Sequence, residues 1–448
     1  MSTMEQVPVL GKYQQYPEYK DSDTQWIGNV PLTWQVKRLG QFLFERREKV
    51  SDKDFEPLSV TKHGIVPQLD TAAKTDAGDN RKLVRSGDFV INSRSDRKGS
   101  SGLSERDGSV SLISIVMKPK DIHPQFVHHL LRSYPFQEEF YRWGKGIVAD
   151  LWSTNYGEMK NILLPIPSQN EQRTIAVFLD YETTRIDKLI AKQQRLIELL
   201  KEKRQAVISH AVTKGLNPDA VMKDSGVEWL GEVPEHWAFV KLKWIATTTS
   251  GSTPNTGEQE KYYADGVYPW VRTTDLNNDI LSDIPVKITE QALADTACSL
   301  LPPGTVLIAM YGGAGSIGKH ALLSVPSTTN QAVCAILPTD SVIPEFLNLF
   351  AGFYRPYWMV GAEGTRKDPN IGQDHIKELK LPIPPLLEQK LICAQINQKL
   401  SQYSVAEDKA FKFTWLLQER RTALISAAVT GKIDLRGWTA PTEEASNG

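Results

Sequence analysis

The chain is written twice. Lys20-Asp21-Ser22, Trp26-Ile27-Gly28-Asn29-Val30-Pro31 and Trp34 return in the same order as Lys223-Asp224-Ser225, Trp229-Leu230-Gly231-Glu232-Val233-Pro234 and Trp237. Leu164-Pro165-Ile166-Pro167 with Glu171-Gln172 returns as Leu381-Pro382-Ile383-Pro384 with Glu388-Gln389. Ile208-Ser209-His210-Ala211-Val212-Thr213 is answered by Ile425-Ser426-Ala427-Ala428-Val429-Thr430. So long a period is no solenoid unit of a few dozen residues. It describes a duplicated domain plus helix, and predicts near-twofold symmetry within one chain.

The helical part of each copy is the most regular. From about Glu171 the pattern is helical, without Gly or Pro up to Gly215. Leu179, Ile186, Leu189, Leu196, Leu200 and Val207 keep a register of alternating three- and four-residue steps interrupted by Glu182, Gln193 and Lys203, and Ile396, Tyr403, Ala406, Ala410, Phe413, Leu417 and Leu424, interrupted by Lys399 and Arg420, form the matching stripe. At about 1.5 Å per residue each helix is roughly 60 Å long. Neither can bury its stripe alone, so the expectation is one antiparallel coiled coil made from both. Pro165, Pro167, Pro382, Pro384 and Pro385 are expected to stop strand structure just before each helix.

Between the shared phrases lie two unlike blocks, roughly 37–161 and 239–380, that read as strands, glycine loops and one helix each. Gly87 to Ile91 and Gly304 to Ile308 have turn-then-strand character, leading into glycine-rich loops from Arg97 to Gly102 and from Gly312 to Gly318. Pro124 and Pro344 each open an aromatic-rich helix. The fold class is therefore α+β: two mixed α/β heads of related scaffold and dissimilar surface, joined by long paired helices.

At 448 residues and 40% hydrophobic content, the chain has room for two to four soluble domains. No apolar run approaches the ~20 residues needed to cross a bilayer, and the polar start has no signal-peptide core, so a cytoplasmic protein is expected. Cys298, Cys334 and Cys393 lack disulfide or zinc spacing and read as buried apolar residues. The net charge of -1 conceals a mildly basic stretch in the first block, Arg81-Lys82, Arg85, Arg94, Arg97-Lys98 and Arg106. That stretch supports nucleic-acid binding, although solvated basic faces are common.

Catalytic motifs fail on inspection. Gly313-Ala314-Gly315-Ser316-Ile317-Gly318-Lys319 satisfies GxGxxG and GxxxxGK, but His320 stands where a phosphate loop needs Ser or Thr, and a strand rather than a helix is expected to follow. No Asn/Asp-Pro-Pro-Tyr/Phe motif of an adenine methyltransferase is present, and Glu407-Asp408-Lys409 lies on the long helix rather than on a nuclease sheet. His128-His129 belongs to an ordinary helix, and no catalytic or metal site emerges. Candidate contact residues do emerge in predicted loops. In the first head they are Lys62, His63, Asn92, Arg94, Ser95, Arg97, Lys98 and Lys145. In the second they are Arg272, Thr273, Thr274, Asp275, Tyr311, Lys319, Asn330, Gln331, Arg366 and Lys367. Arg, Asn and Gln are the side chains that make bidentate contacts to guanine and adenine edges.

Taken together, the duplicated WxGxxPxxW phrases, the LPIP…EQ helix starts and the two unlike heads resemble the specificity subunit of type I restriction-modification systems. Ser250-Gly251-Ser252-Thr253-Pro254 and Pro269-Trp270-Val271-Arg272 also look like phrases of that family's recognition domains. The resemblance covers nearly the whole chain. It implies an N-terminal extension (1–25), target-recognition domains at 26–165 and 229–382, spacer helices at 166–215 and 383–431, a linker (216–228) and a tail (432–448). It also implies a non-catalytic subunit that reads a split, asymmetric duplex DNA site. The implied partners are two methyltransferase (modification) subunits and restriction/translocase subunits, with AdoMet, ATP and Mg on those partners and none on this chain. The longer second block departs from strict symmetry.

Adding a heptad to both helices would lengthen the spacer by about 10 Å, close to three base pairs. Competing readings are a protein scaffold with two adaptor domains, a methylation-only specificity subunit and a single-chain restriction enzyme. The ends, Met1 to Tyr19 and Trp438 to Gly448, read as flexible, yet a pseudo-cyclic chain would bring them together.

Overall fold

The computed structural model describes residues 13–70, 78–146, 152–312, 315–360 and 370–441. The chain divides into two compact units, Met1–Gln194 with Phe411–Gly448, and Arg195–Ala410. The divisions fall inside the two long helices, Gln169–Lys214 and Leu386–Val429, which run for 46 and 44 residues.

In the first unit a four-stranded antiparallel sheet has the order Ser101–Leu103, Phe89–Asn92, Ser114–Pro119, Leu43–Glu45. Phe89–Asn92 is buried at all four positions, as expected of a central strand covered on both faces. In the second unit the order His320–Leu323, Val306–Ala309, Val333–Ile336, Thr248–Ser250 repeats this arrangement, with Ile280–Leu281 added in parallel at one edge. The extra strand accounts for part of the longer second block. Gly102 lies in a strand rather than in the glycine loop expected there.

One aromatic-rich helix per block holds for the second unit, where Pro344–Val360 continues through Pro356. In the first unit it is two helices, Pro124–Arg132 and Tyr134–Arg142. Ser133 turns extended at φ -64° and ψ 145° and its side chain accepts from Phe136 N–H, so it stops one helix and caps the next, helped by Pro135. The expectation that the prolines end strand structure is also corrected. Pro165 and Pro382 lie inside short strands, Leu163–Ile166 against Gln35–Arg38 and Lys380–Ile383 against Ala238–Lys241. Each of these sheets has only two strands, so every strand has an open edge where a missing N–H is tolerated.

The repeated phrases build the same joint in each unit. Trp34 is fully buried and its indole N–H donates to Glu171 Oε1 at 3.2 Å. Trp237 donates to Glu388 Oε1 at 3.1 Å. The neighbouring glutamine ties the helix start to the aromatic helix. Gln172 accepts from His123 N–H at 2.8 Å and donates to Pro167 C=O at 2.9 Å. Gln389 accepts from Ile343 N–H at 2.8 Å and donates to Pro384 and Ser341 carbonyls at 2.8 and 3.2 Å.

The far end of the other helix closes on the same tryptophan. Gly215 and Gly431 both have positive φ, 78° and 74°. A Cβ on Gly215 would lie 3.2 Å from Trp237 and from Glu388, and one on Gly431 only 2.3 Å from Pro31, so glycine is required for conformation and for space. In each unit, therefore, the start of one long helix meets the end of the other, and the two run antiparallel.

Most of the expected stripe is buried or half-buried. Leu179, Ile186, Leu417 and Leu424 lie in the first core, joined by the Arg421–Asp187 ion pair at 2.9 Å. Ile396 lies in the second core and Leu200 is half-buried, while Arg204 reaches Ser404 at 2.7 Å and Glu407 at 3.5 Å. Leu189 and Val207, with Tyr403 and Ala406, are half-buried, and Ala410 is buried. Leu196 and Phe413 are corrections, 42% and 44% exposed, their places taken by buried Ile197 and half-buried Thr414. A helix of 3.6 residues per turn drifts off a strict 3.5-residue repeat, so the buried stripe moves by one residue in mid-helix.

The described parts of the two ends are docked. Gln14 C=O accepts from Asp434 N–H at 2.7 Å, and Trp438 packs edge-on against Phe178. Tyr13 and Tyr16 pack on the same core, contrary to a flexible reading of 13–19.

Candidate nucleic-acid interface

Short turns between the sheet strands carry the candidate side chains. In the second unit the strand Tyr268–Val271 runs parallel to Thr328–Thr329, and Asn330 N–H donates to Val271 C=O. This places the Arg272–Asp275 turn beside Asn330 and Gln331. Arg272 makes a bidentate pair with Asp275, 3.1 Å from Nε and 3.0 Å from Nη2, and Arg272 N–H also donates to Asp275. That bonding raises the guanidinium pKa, so the charge is permanent. Nε and one Nη2 hydrogen are committed inward, which leaves the outer edge of the guanidinium for another acceptor.

Gly312 approaches Thr273 Oγ1, and this brings neighbouring Tyr311 to the same cluster. Thr274, Tyr311 and Gln331 are exposed and Lys319 is half-buried, whereas Thr273 is buried and turned away from solvent. Asn330 Oδ1 caps Ala332 N–H, and Gln331 Oε1 accepts from Thr253 at 2.5 Å. Gly313 and Ala314 lie outside the described residues, as do Arg366 and Lys367. The glycine turn leads into the strand His320–Leu323, as expected of a structural turn and not of a phosphate loop.

In the first unit Lys62 and His63 form the exposed tip of the hairpin Leu58–Thr61/Gly64–Pro67, and Arg132 donates to Lys62 C=O. Arg94 and Arg97 are exposed; Lys98 pairs with Glu138 and Lys145 with Glu158. Both Arg94 and Lys145 bridge to Ser153, and Ser95 N–H donates to Trp152 C=O, so these residues share one loop cluster. Asn92 is a correction: it is buried, with Oδ1 accepting from Arg94 N–H.

The basic stretch is also partly structural. Arg81 is buried and donates to Ser109, its pKa lowered by burial, and Lys82 donates to Ser114 C=O. Arg85 pairs with Asp107. Sequence reasoning missed exposed Trp152 and the Thr253 hydroxyl; only the recurring Ser250–Pro254 phrase hinted at the latter. Among the described residues no cluster of His, Cys, Asp or Glu is arranged to hold a metal ion, and no helix is long and apolar enough to cross a membrane. The three cysteines are free and buried.

The fold is duplicated, each unit carrying turns beside a sheet together with part of each long helix. The type I restriction modification DNA specificity domain matches residues 234–404. The MjaIX specificity subunit of Methanocaldococcus jannaschii is 31% identical over 172 residues, covering 38% of this chain and 39% of that protein. The putative MjaX specificity subunit of the same organism is 21% identical over 92% of this chain and 96% of its own length. A solved chain of the type I R-M system, from work on its complex assembly and conformational transition, superposes with a TM-score of 0.70 at 17% identity, over 89% of this chain and 98% of its own. Residues 234–404 therefore carry a type I restriction modification DNA specificity domain, and the chain as a whole is similar in sequence and fold to type I restriction enzyme specificity subunits.

Proposed function

We propose that this chain is the non-catalytic reader of a type I restriction-modification complex, in which each unit recognises one half of a bipartite, asymmetric duplex DNA site. The observation that carries the proposal is the contrast between matched Trp–Glu–Gln joints and unlike loop clusters. A molecule that reads two different half-sites needs common mechanics and dissimilar surfaces. Exposed Lys and Arg would position each unit on phosphates, and Arg272, Gln331 and Arg94 would contact base edges. Two modification subunits would bind AdoMet and carry the adenine chemistry, and restriction subunits would use ATP and Mg. The length of the paired helices would set the number of unspecified base pairs.

The test is to exchange residues 37–161 for the corresponding block of another family member and to map methylated adenines with the modification subunits present. One half-site should change and the other persist. A change in both halves contradicts independent reading, and loss of sequence-selective methylation with intact assembly favours a protein scaffold.

A further inference from the structure

Beside the Arg272–Asp275 turn, three polar side chains of the second unit have their inner atoms tied down and N–H groups left over. Arg272 and Asn330 follow directly on the paired residues Val271 and Thr329, so they stand side by side. The guanidinium commits Nε and one Nη2 hydrogen to Asp275, and its outer edge keeps the Nη1 hydrogens and the second of Nη2. Asn330 Oδ1 accepts from Ala332 N–H, a group that can only donate, so the amide oxygen faces the backbone. Gln331 Oε1 accepts from the Thr253 hydroxyl at 2.5 Å, a separation within the O–H···O range and too short for N–H···O. Among the described residues, Asn330 Nδ2 and Gln331 Nε2 have no protein partner.

Thr253 is itself braced on both sides. Ser252 C=O accepts from the Trp270 indole N–H at 3.0 Å and from Cys298 Sγ at 3.1 Å, and Pro254 C=O accepts from the Tyr263 hydroxyl at 2.6 Å. Ser252 N–H donates to Thr329 C=O, and a Cβ on Gly251 would collide with that same carbonyl. Only glycine lets the Ser250–Pro254 segment lie this close to the strand that leads into Gln331. The exposed Gln331 amide is thus held by a hydroxyl on a fixed backbone.

An amide free to turn matches adenine, accepting from its N6 amino group while donating to N7. One whose oxygen is held inward offers donors alone. In the major groove guanine shows N7 and O6 and thymine shows O4, all acceptors, whereas adenine and cytosine each show an amino donor that such an edge leaves unsatisfied. The outer edge of Arg272 shares this preference, since paired N–H groups match guanine N7 and O6. We propose that the second unit's half-site carries guanine or thymine, and not adenine or cytosine, where Gln331 meets it, and that Thr253 is the positioning residue that enforces this choice. The inference rests on the DNA-reading role given to this unit above.

The test maps methylated sites made by the full chain with its modification subunits, for the wild type and for single substitutions at these two exposed positions. Gln331→Glu turns the donor into an acceptor and should shift one position of one half-site from guanine or thymine toward cytosine, by about tenfold. Thr253→Val keeps the side-chain shape but frees the amide, and should admit adenine at the same position. Thr253→Ser retains the hydroxyl and should keep the wild-type choice, whereas a merely structural threonine would alter stability and leave base preference alone. The proposal is overturned if the position that responds to Gln331→Glu carries adenine or cytosine in the wild type. It is also overturned if either Gln331→Glu or Thr253→Val leaves the half-site unchanged while exchange of residues 239–380 for a related chain's block still alters it. If that exchange alters neither half-site, the reading of DNA by the second unit falls, and the proposal with it.

Discussion

The two units share a joint and differ in how that joint is braced. In the first, Glu171 completes a capping box with Ser168: the Ser168 hydroxyl donates to Glu171 Oε2 at 2.7 Å and accepts from Glu171 N–H at 3.3 Å. In the second, Pro385 follows Pro384 just before the helix and cannot cap through a side chain, and Glu388 is instead 2.8 Å from His236 Nε2. Both carboxylates keep the tryptophan indole as a partner. What is common to the two units is therefore the Trp–Glu–Gln geometry, and the local capping chemistry is interchangeable. The heads diverge further, one with an all-antiparallel main sheet and the other with a parallel edge strand. Duplication preserved the mechanics, while loops and edges were free to change.

The comparison is broken most severely at the buried glutamines. Gln172→Leu leaves one amide and one carbonyl without partners, and Gln389→Leu leaves one amide and two carbonyls. Each should lose roughly 2–4 kcal/mol in denaturant unfolding, the second more than the first. Equal losses would show that the extra Ser341 contact contributes nothing.

Replacing the tryptophans has a smaller effect. Trp34→Phe and Trp237→Phe each remove a hydrogen bond to a carboxylate and some buried area, at about 2 kcal/mol. Matched decreases in stability would confirm equivalent joints; a silent Trp237→Phe would mean that His236 suffices to hold Glu388.

The smallest effect is in acid and concerns Glu378 of the second unit. The hydrogen bond from Lys241 and then that from Lys243 hold the Glu378 pKa down at about 2, below its ordinary 4.5. A carboxylate depressed in the folded state contributes stability above about pH 4.5, and that contribution disappears as pH falls toward 2. Glu378→Gln should flatten the decline in stability over this window. An unchanged slope would show the exposed Lys–Glu cluster to be screened out.

What the sequence determined by itself was the repetition and its consequences. Length without Gly or Pro set two long helices, glycine after Lys214 and after Thr430 set where they stop, and Trp, Glu and Gln at matched spacing marked one joint made twice. These are local or periodic properties, written in consecutive residues. The tertiary structure decided which members of a repeat face inward, because a 3.6-residue helix drifts from a heptad reading and exposes Leu196 and Phe413. It also decided which polar residues are free. Asn92 reads as a loop contact residue and Arg81 as part of a basic stretch, but Asn92 Oδ1 is taken up by the Arg94 N–H and Arg81 by the Ser109 hydroxyl, while Arg272 is steadied by Asp275 with its outer edge available. Hydrogen-bond satisfaction depends on neighbours distant in sequence, and only the folded chain brings those neighbours together.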